Sequence, residues 1–161
     1  MSMPGLRMRY SDATIKGKKM ENVQLSIIIP IFNGKHFLAE AMENVLKMRC
    51  SKEILLIDDG SKDGSYEYCK ENWGERTDVR IFSRGHGGIT ATRNYGLEQA
   101  NGKWLLFADQ DDVVAAETVD KVICWAEQEQ LDTVIWSTER LYEDGTTKPC
   151  DTVKFFKNQI L

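Results

Sequence analysis

Asp109 and Asp111 lie two residues apart, directly after the apolar run Leu105-Leu106-Phe107-Ala108. Such a run, bounded by turn residues, predicts a buried strand ending at the acidic cluster Asp109-Gln110-Asp111-Asp112. Alternate side chains of an extended chain share a face, so Asp109 and Asp111 are expected to point the same way. Two hard oxygen ligands so placed suit Mg²⁺ or Mn²⁺, ions that also take phosphate oxygens. The plainer alternative is that Asp111 or Asp112 caps the next helix.

Other segments end in comparable residues. Val23–Phe32 is a β-branched run of the kind covered on both faces in a parallel sheet, and Pro30, which lacks an N–H, is expected to end its ladder. Asn33-Gly34 supplies the turn. Glu53–Ile57 ends in Asp58-Asp59-Gly60-Ser61, where only one of the adjacent aspartates can face a shared crevice. Val79–Ser83 leads into Arg84-Gly85-His86-Gly87-Gly88. Glycines admit a ligand close to the backbone, and the helix N-terminus that follows offers N–H groups to an anion. His86 could contribute a donor, although a lone loop histidine is more often exposed and inert.

Helices must carry the chain between these ends. Phe37, Leu38, Ala41, Met42, Val45 and Leu46 recur at helical spacing, as do Val119, Val122, Ile123 and Ala126 within Glu117–Gln130. A helix running to about Trp73 has Asp63 or Ser65 as its cap, and one over Ile89–Ala100 is closed by Asn101-Gly102. Lys103–Ala108 is the next strand. Thr133–Tyr142 is β-rich, Glu143-Asp144-Gly145 makes a turn, and a strand returns through Thr147. Residues 151–161 are weakly helical. Trp73, Trp104, Trp125 and Trp136 are expected in the core. Residues 1–22 are read as a flexible leader and 23–161 as one domain. Alternating strands and helices predict an open, mainly parallel sheet that binds ligands beyond its carboxyl ends.

Composition narrows the partners. The chain has 161 residues, 42% hydrophobic and 29% charged, with a formal net charge of −4. That balance disfavours nucleic acid, so substrate phosphates would need a metal ion or local donors. Four cysteines without ligand spacing point to reduced thiols rather than zinc or a disulfide framework. No apolar segment approaches the roughly 20 residues of a membrane span, and no signal-peptide centre is present. The glycine-lysine phosphate loop and the dinucleotide fingerprint are both missing, which removes P-loop NTPases and dinucleotide dehydrogenases.

Four motifs then resemble one family in order and spacing: Ser26-Ile-Ile-Ile-Pro-Ile-Phe-Asn33, Ile57-Asp-Asp-Gly-Ser-Lys-Asp-Gly-Ser65, Gly87-Gly-Ile-Thr-Ala-Thr-Arg-Asn-Tyr-Gly96 and Phe107-Ala-Asp-Gln-Asp-Asp112. They resemble the family 2 glycosyltransferases of GT-A fold, over about Val23 to Gly145. The resemblance implies a three-layer α/β/α, Rossmann-like nucleotide-diphospho-sugar transferase domain, represented by its donor-binding part and short of its C-terminal portion. It implies inverting transfer from a nucleotide-sugar donor, usually a UDP-sugar, to an unknown acceptor. Cell-surface polysaccharide or glycolipid synthesis is the usual setting. The location implied is cytoplasmic, and membrane-peripheral within a longer protein. Pro30, Ile31, Phe32 and Asn33 would border the nucleoside, and Asp59 would accept a base N–H. Gly88, Arg93 and Gln110 would complete the donor site, with Arg93 near the diphosphate or bracing the aspartates. Asp109 and Asp111 match the Asp-x-Asp pair, touching ribose and a Mn²⁺ or Mg²⁺ ion.

Two departures stand out. His86 replaces the usual Asn, and the acidic general base lies downstream of the matched motifs, so none is assigned. Glu139, Glu143 and Asp144 read as solvated turn acids. A non-catalytic nucleotide-binding or interaction domain is the alternative, against which the intact Asp59, Asp109 and Asp111 speak. A nucleotidyltransferase is disfavoured by the lack of a glycine- and lysine-rich loop after the first strand.

Overall fold

The structure, a computed structural model, describes residues 22–135, 139–142 and 144–149. In chain order the elements are β1 (Leu25–Ile31), α1 (Leu38–Leu46), β2 (Lys52–Asp58), α2 (Ser65–Trp73), β3 (Val79–Ser83), α3 (Ile89–Gln99), β4 (Trp104–Phe107), α4 (Ala116–Gln128), β5 (Glu139–Leu141) and β6 (Thr147–Pro149). The first four strands form a parallel sheet in the order β3-β2-β1-β4, while β5 and β6 pair as an antiparallel hairpin. The expected leader falls almost wholly outside the described residues. So do the expected terminal helix, Trp136, Glu143 and Cys150.

Every residue of β1 is buried, which suits a central strand with helices on both faces. Leu25, Ile27, Ile29 and Ile31 pack with Leu38 and Met42 of α1, Cys69 of α2, and Val119 and Ile123 of α4. Ile28, Leu55 and Ile57 face the other way, toward Tyr95 and Leu97 of α3. Each such side chain contributes about 1.5–3 kcal/mol on full burial, enough to hold β1 and β2 at the centre. A Cβ on Gly96 would meet Ile28 at 2.5 Å and Ile57 at 2.8 Å, so α3 lies close against the sheet only because residue 96 has no side chain.

The structure corrects several expectations. Pro30 does not end β1: it pairs with Ile57, and the strand continues to Ile31 opposite Asp58. The carbonyl of Ile28 is used by β4 and that of Ile31 by β2, so by alternation Pro30 turns its N–H-less nitrogen to the β4 side. There β4 has already ended, its last partner being Ile28, and no ladder bond is lost. Strand β4 is not buried. Among the described residues it is an edge strand of the sheet, and Leu105 (47% exposed) and Phe107 (41%) project on the α3 face. Trp125 is half exposed on α4, whereas Trp73 and Trp104 pack against the core.

Asn101-Gly102 does not form a left-handed helix end. Ala100 at the C-cap of α3 is extended (ψ 138°), and Gly102 is not among the positive-φ residues. Its glycine is needed for close approach: a Cβ there would lie 2.7 Å from the Leu25 carbonyl carbon, and the Gly102 N–H donates to Ser26 Oγ. Asn101 donates to Glu53, whose fully buried carboxylate also accepts from Ser26 Oγ at 2.6 Å and from Arg80 at 3.2 Å. This network ties the α3–β4 turn to the amino ends of β1 and β2. Buried charge is tolerated because every neighbour is a donor. Cys69 is buried, which pushes its thiol up to about 12, and burial followed by Asp120 raises Cys50 to about 11. Cys50, Cys69 and Cys124 are all free.

Candidate donor-binding site

The carboxyl ends of the central strands converge with the glycine loop before α3. Strand β4 ends at Phe107, so the common direction of Asp109 and Asp111 comes from a turn and not from strand alternation. That turn is closed by Asp112, which accepts the Asp109 N–H at 3.1 Å while donating its own N–H to the Asp109 carbonyl at 3.0 Å. Neither Asp111 nor Asp112 caps a helix, because α4 begins only at Ala116 with no side-chain cap.

Arg93 of α3 holds Asp109 through Nη2 at 2.6 Å, and its guanidinium lies over the Phe107 ring at 5.6 Å. Its buried Nε has no hydrogen-bond partner among the described residues. Of the two roles expected for Arg93, this contact is the one a brace would make. Gln110 pairs both atoms of its amide with the Phe32 backbone: Oε1 accepts the N–H at 3.0 Å and Nε2 donates to the carbonyl at 3.3 Å. Asp111 is exposed, and no described residue hydrogen-bonds its carboxylate.

As expected, only one of the paired aspartates faces the crevice. Asp58 is spent on the turn, accepting the N–H groups of Gly60 and Ser61. Asp59 accepts the N–H groups of Gly87 at 2.9 Å and Gly88 at 2.8 Å, and both His86 and Arg84 approach it. Burial pushes the Asp59 carboxyl up, but the two glycine N–H bonds, with Thr92 and His86, outweigh it and hold the group below the usual carboxylate range. Asp59 thus shapes the glycine loop as well as facing the cavity.

Asn33 links two loops instead of facing the cavity. It has φ 49°, donates its N–H to Ser61 Oγ and accepts the Lys62 N–H at 2.8 Å. Neither Asp63 nor Ser65 caps α2 with its side chain, since Gly64 is the N-cap. Asp63 instead accepts from the Ser65 and Lys35 N–H groups and so joins the β1 loop to the β2 loop.

The resulting cavity of about 230 Å³ is lined by Pro30, Ile31, Phe32, Asp59, His86, Gly88, Ile89, Asp109, Gln110 and Asp111. Of the residues expected at a donor site, only Asn33 and Arg93 do not line it. Ile89 was not anticipated, and His86 is not inert. Its ring is 59% exposed at the side chain, yet it stacks on Phe32 with centroids 4.4 Å apart and planes at 26°. The available signal was its place in a glycine loop between Asp59's two backbone donors and β3. Glu139 is exposed on β5, and Asp144 serves the hairpin turn, where the Thr146 hydroxyl and N–H lower its pKa.

Among the described residues, no cluster of three or more His, Cys, Asp or Glu could hold a metal. Asp109 and Asp111 can offer two carboxylates. Mg²⁺ and Mn²⁺ commonly complete their shells with water and substrate phosphate, so this donor set fits an ion that arrives with a diphosphate. No described helix is long and apolar enough to cross a membrane.

A parallel sheet with carboxylates and a glycine loop at its carboxyl ends belongs to the open α/β class, whose ligands bind beyond those strand ends. The family description "Glycosyl transferase family 2" matches residues 26–157, and the chain belongs to that family. The minor teichoic acid biosynthesis protein GgaB of Bacillus subtilis is 29% identical over 134 residues, 81% of this chain and 15% of GgaB. Staphylococcus aureus TarS, solved with UDP, superposes with a TM-score of 0.61 at 23% identity, over 74% of this chain and 35% of TarS. The mannosyltransferase PcManGT of Pyrobaculum calidifontis, solved with GDP-Man and Mn²⁺, gives 0.58 at 17% identity, over 73% of this chain and 36% of PcManGT. The fold is therefore that of the GT-A glycosyltransferases. The chain spans 15 to 38% of the length of the first curated relatives it matches.

Proposed function

We propose that this chain is the donor-binding part of a metal-dependent, inverting glycosyltransferase that draws its sugar from a nucleoside diphosphate, by preference a UDP-sugar. The observation that carries the reading is the exposed Asp111 carboxylate, hydrogen-bonded by no described residue, which lines the same cavity as Asp59 and the Pro30–Phe32 segment. Pro30, Ile31 and Phe32 border the nucleoside, and Asp59 meets a base N–H. The amino end of α3, entered at Gly88, borders the same space and favours negative charge there. Asp109 and Asp111 are the groups that would hold the ion, with Arg93 and Gln110 fixing the turn that carries them.

When bound, a divalent ion neutralises the charge that develops on the departing diphosphate. The protein's own part is to orient the donor, and the convergence of its strand ends provides that orientation. UDP in TarS and GDP-Man with Mn²⁺ in PcManGT support a nucleoside diphosphate and a divalent ion here. The part of GgaB in minor teichoic acid biosynthesis supports cell-surface polymer synthesis as the setting.

Calorimetry with UDP and GDP, with and without Mn²⁺, tests the reading on the wild-type chain and on Asp111→Ala. Mn²⁺-dependent binding of one nucleotide is expected in the wild type and should vanish in the variant, with the circular dichroism unchanged. Absence of binding in the wild type overturns the donor role. Unchanged affinity in Asp111→Ala overturns the metal role.

A further inference from the structure

We infer that His86 occupies the nucleobase subsite of the donor-free protein as an internal stand-in for the base, and that the donor must expel it to bind. The inference rests on the nucleoside diphosphate reading above and deepens it.

His86 offers the cavity what a base would offer. Its ring face stacks on Phe32 at 4.4 Å, and its Nδ1 lies 2.9 Å from Asp59 Oδ2 and 3.2 Å from the Asp59 carbonyl. Both of those neighbours are acceptors, so Nδ1 is the nitrogen that carries the proton. Asp59 Oδ2 already accepts the Gly88 N–H at 2.8 Å, and a carboxylate oxygen has about two lone-pair sites. With His86 in place, the imidazole stands 2.9 Å from that oxygen and blocks the approach of a second donor to it, while its own hydrogen bond goes to the Asp59 carbonyl. A base seeking the Phe32 face and an Asp59 acceptor therefore competes with His86 for both.

Expulsion needs little rearrangement. The Gly87 and Gly88 N–H groups anchor the loop backbone to Asp59 independently of the imidazole. The His86 side chain is 59% exposed, so it can swing into solvent without leaving a packing void. The exchange also selects among bases. Asp59 is only 4% exposed, so a group that takes the place of His86 beside its carboxylate must present a donor to it. Uracil and guanine carry a ring N–H that can replace the imidazole N–H. Cytosine and adenine present an acceptor nitrogen at the corresponding edge, which would face the carboxylate.

The test is calorimetry of wild-type and His86→Ala protein with UDP, GDP and CDP in the presence of Mn²⁺, together with the NMR signals of the His86 ring. His86→Ala is expected to bind UDP roughly fivefold to tenfold tighter than wild type, the size of one competing hydrogen bond. CDP should bind more weakly than UDP in both proteins. In the wild type, the ring protons of His86, shifted by the Phe32 ring, should move toward exposed-histidine positions as UDP is added. If the wild type binds UDP and His86→Ala binds it equally or less well, or the ring signals stay put, the inference fails while the donor reading stands. If neither protein binds UDP or GDP, the donor reading itself fails and the inference with it.

Discussion

The side-chain amide of Gln110 pairs with the backbone of Phe32 as a neighbouring strand would, accepting its N–H and donating to its carbonyl. The two residues lie on different loops, one after β1 and one after β4. Their pairing extends the contact between those strands past the point where their ladder ends at Ile28 and Phe107. Gln110 is thereby a strap that positions Asp109 and Asp111 against the segment proposed to border the nucleoside.

Breaking that strap should loosen the site before it loosens the fold. In Gln110→Glu the carboxylate still accepts the Phe32 N–H but faces the Phe32 carbonyl with a second acceptor. Its affinity for UDP with Mn²⁺ is expected to fall about tenfold, the loss of roughly one good hydrogen bond. The melting temperature should barely change, because both residues are near the surface. Calorimetry and thermal denaturation on the same samples check the two statements, and an unaltered affinity would remove Gln110 from a positioning role.

Arg93→Ala should act in the same direction through Asp109. The pair is more than a third exposed on each side, so its removal should cost little stability. Asp109 would lose the group that orients it, and Mn²⁺-dependent nucleotide affinity is expected to drop by about an order of magnitude, as for one charged hydrogen bond. Arg93→Lys should recover only part of the loss, since an ammonium cannot combine the Asp109 contact with the planar stack over Phe107. Full recovery with Lys would show that charge alone is needed.

Asp59 should give the protein an acid-sensitive limb. Its carboxyl is held below the usual range, so the unfolded chain, with an aspartate pKa of about 3.9, binds the proton more readily than the folded one. The stabilisation is therefore complete above about pH 4–5 and is lost as pH falls through the lowered folded value. In Asp59→Asn the amide cannot accept from Gly87 and Gly88 with both its atoms, and a loss of about 1–3 kcal/mol at neutral pH is expected. Urea unfolding between pH 2 and 7 measures both effects. The variant should show a flatter acid limb than wild type, and an identical limb would contradict the role given to Asp59.

Glu53 tests the opposite end of the sheet. Its buried carboxylate holds Ser26, Arg80 and Asn101 together, and Glu53→Ala leaves all three without that acceptor. A loss of about 3–5 kcal/mol is expected from breaking a buried charged network. Nucleotide affinity of the protein that remains folded should be unchanged, because the network lies at the amino ends of the strands. Chemical denaturation and calorimetry below the unfolding transition would separate the two.

Most elements were legible because their signals are local. The β-branched run of β1 and the helical spacing of Leu38, Met42 and Val45 need only neighbouring residues to be read. The strand-end residues were legible for a related reason, since turns draw on Asp, Asn and Gly whatever the rest of the chain does. Pro30 was misread because its effect depends on where β4 stops. Gly102 was misread because a glycine after a helix has two possible reasons to be there, and only the nearness of Leu25 and Ser26 reveals which applies. His86 was undervalued because nothing adjacent in sequence shows that Phe32 and Asp59 flank it.

By itself the sequence determined the alternation of strands and helices, the parallel sheet, the family, and the set of residues gathered at one end of that sheet. Periodicity, turn chemistry and motif order are properties of short stretches, so they survive without coordinates. Only the tertiary structure decided what each residue does there: Gln110 as strap, Asp112 as turn closure, Asp58 spent locally, Asp59 anchoring the glycine loop, and Glu53 as a buried hub. The partners in the longer-range cases stand 27 to 78 residues away along the chain. A hydrogen bond depends on distances of about 3 Å in space, which no local pattern of residues encodes.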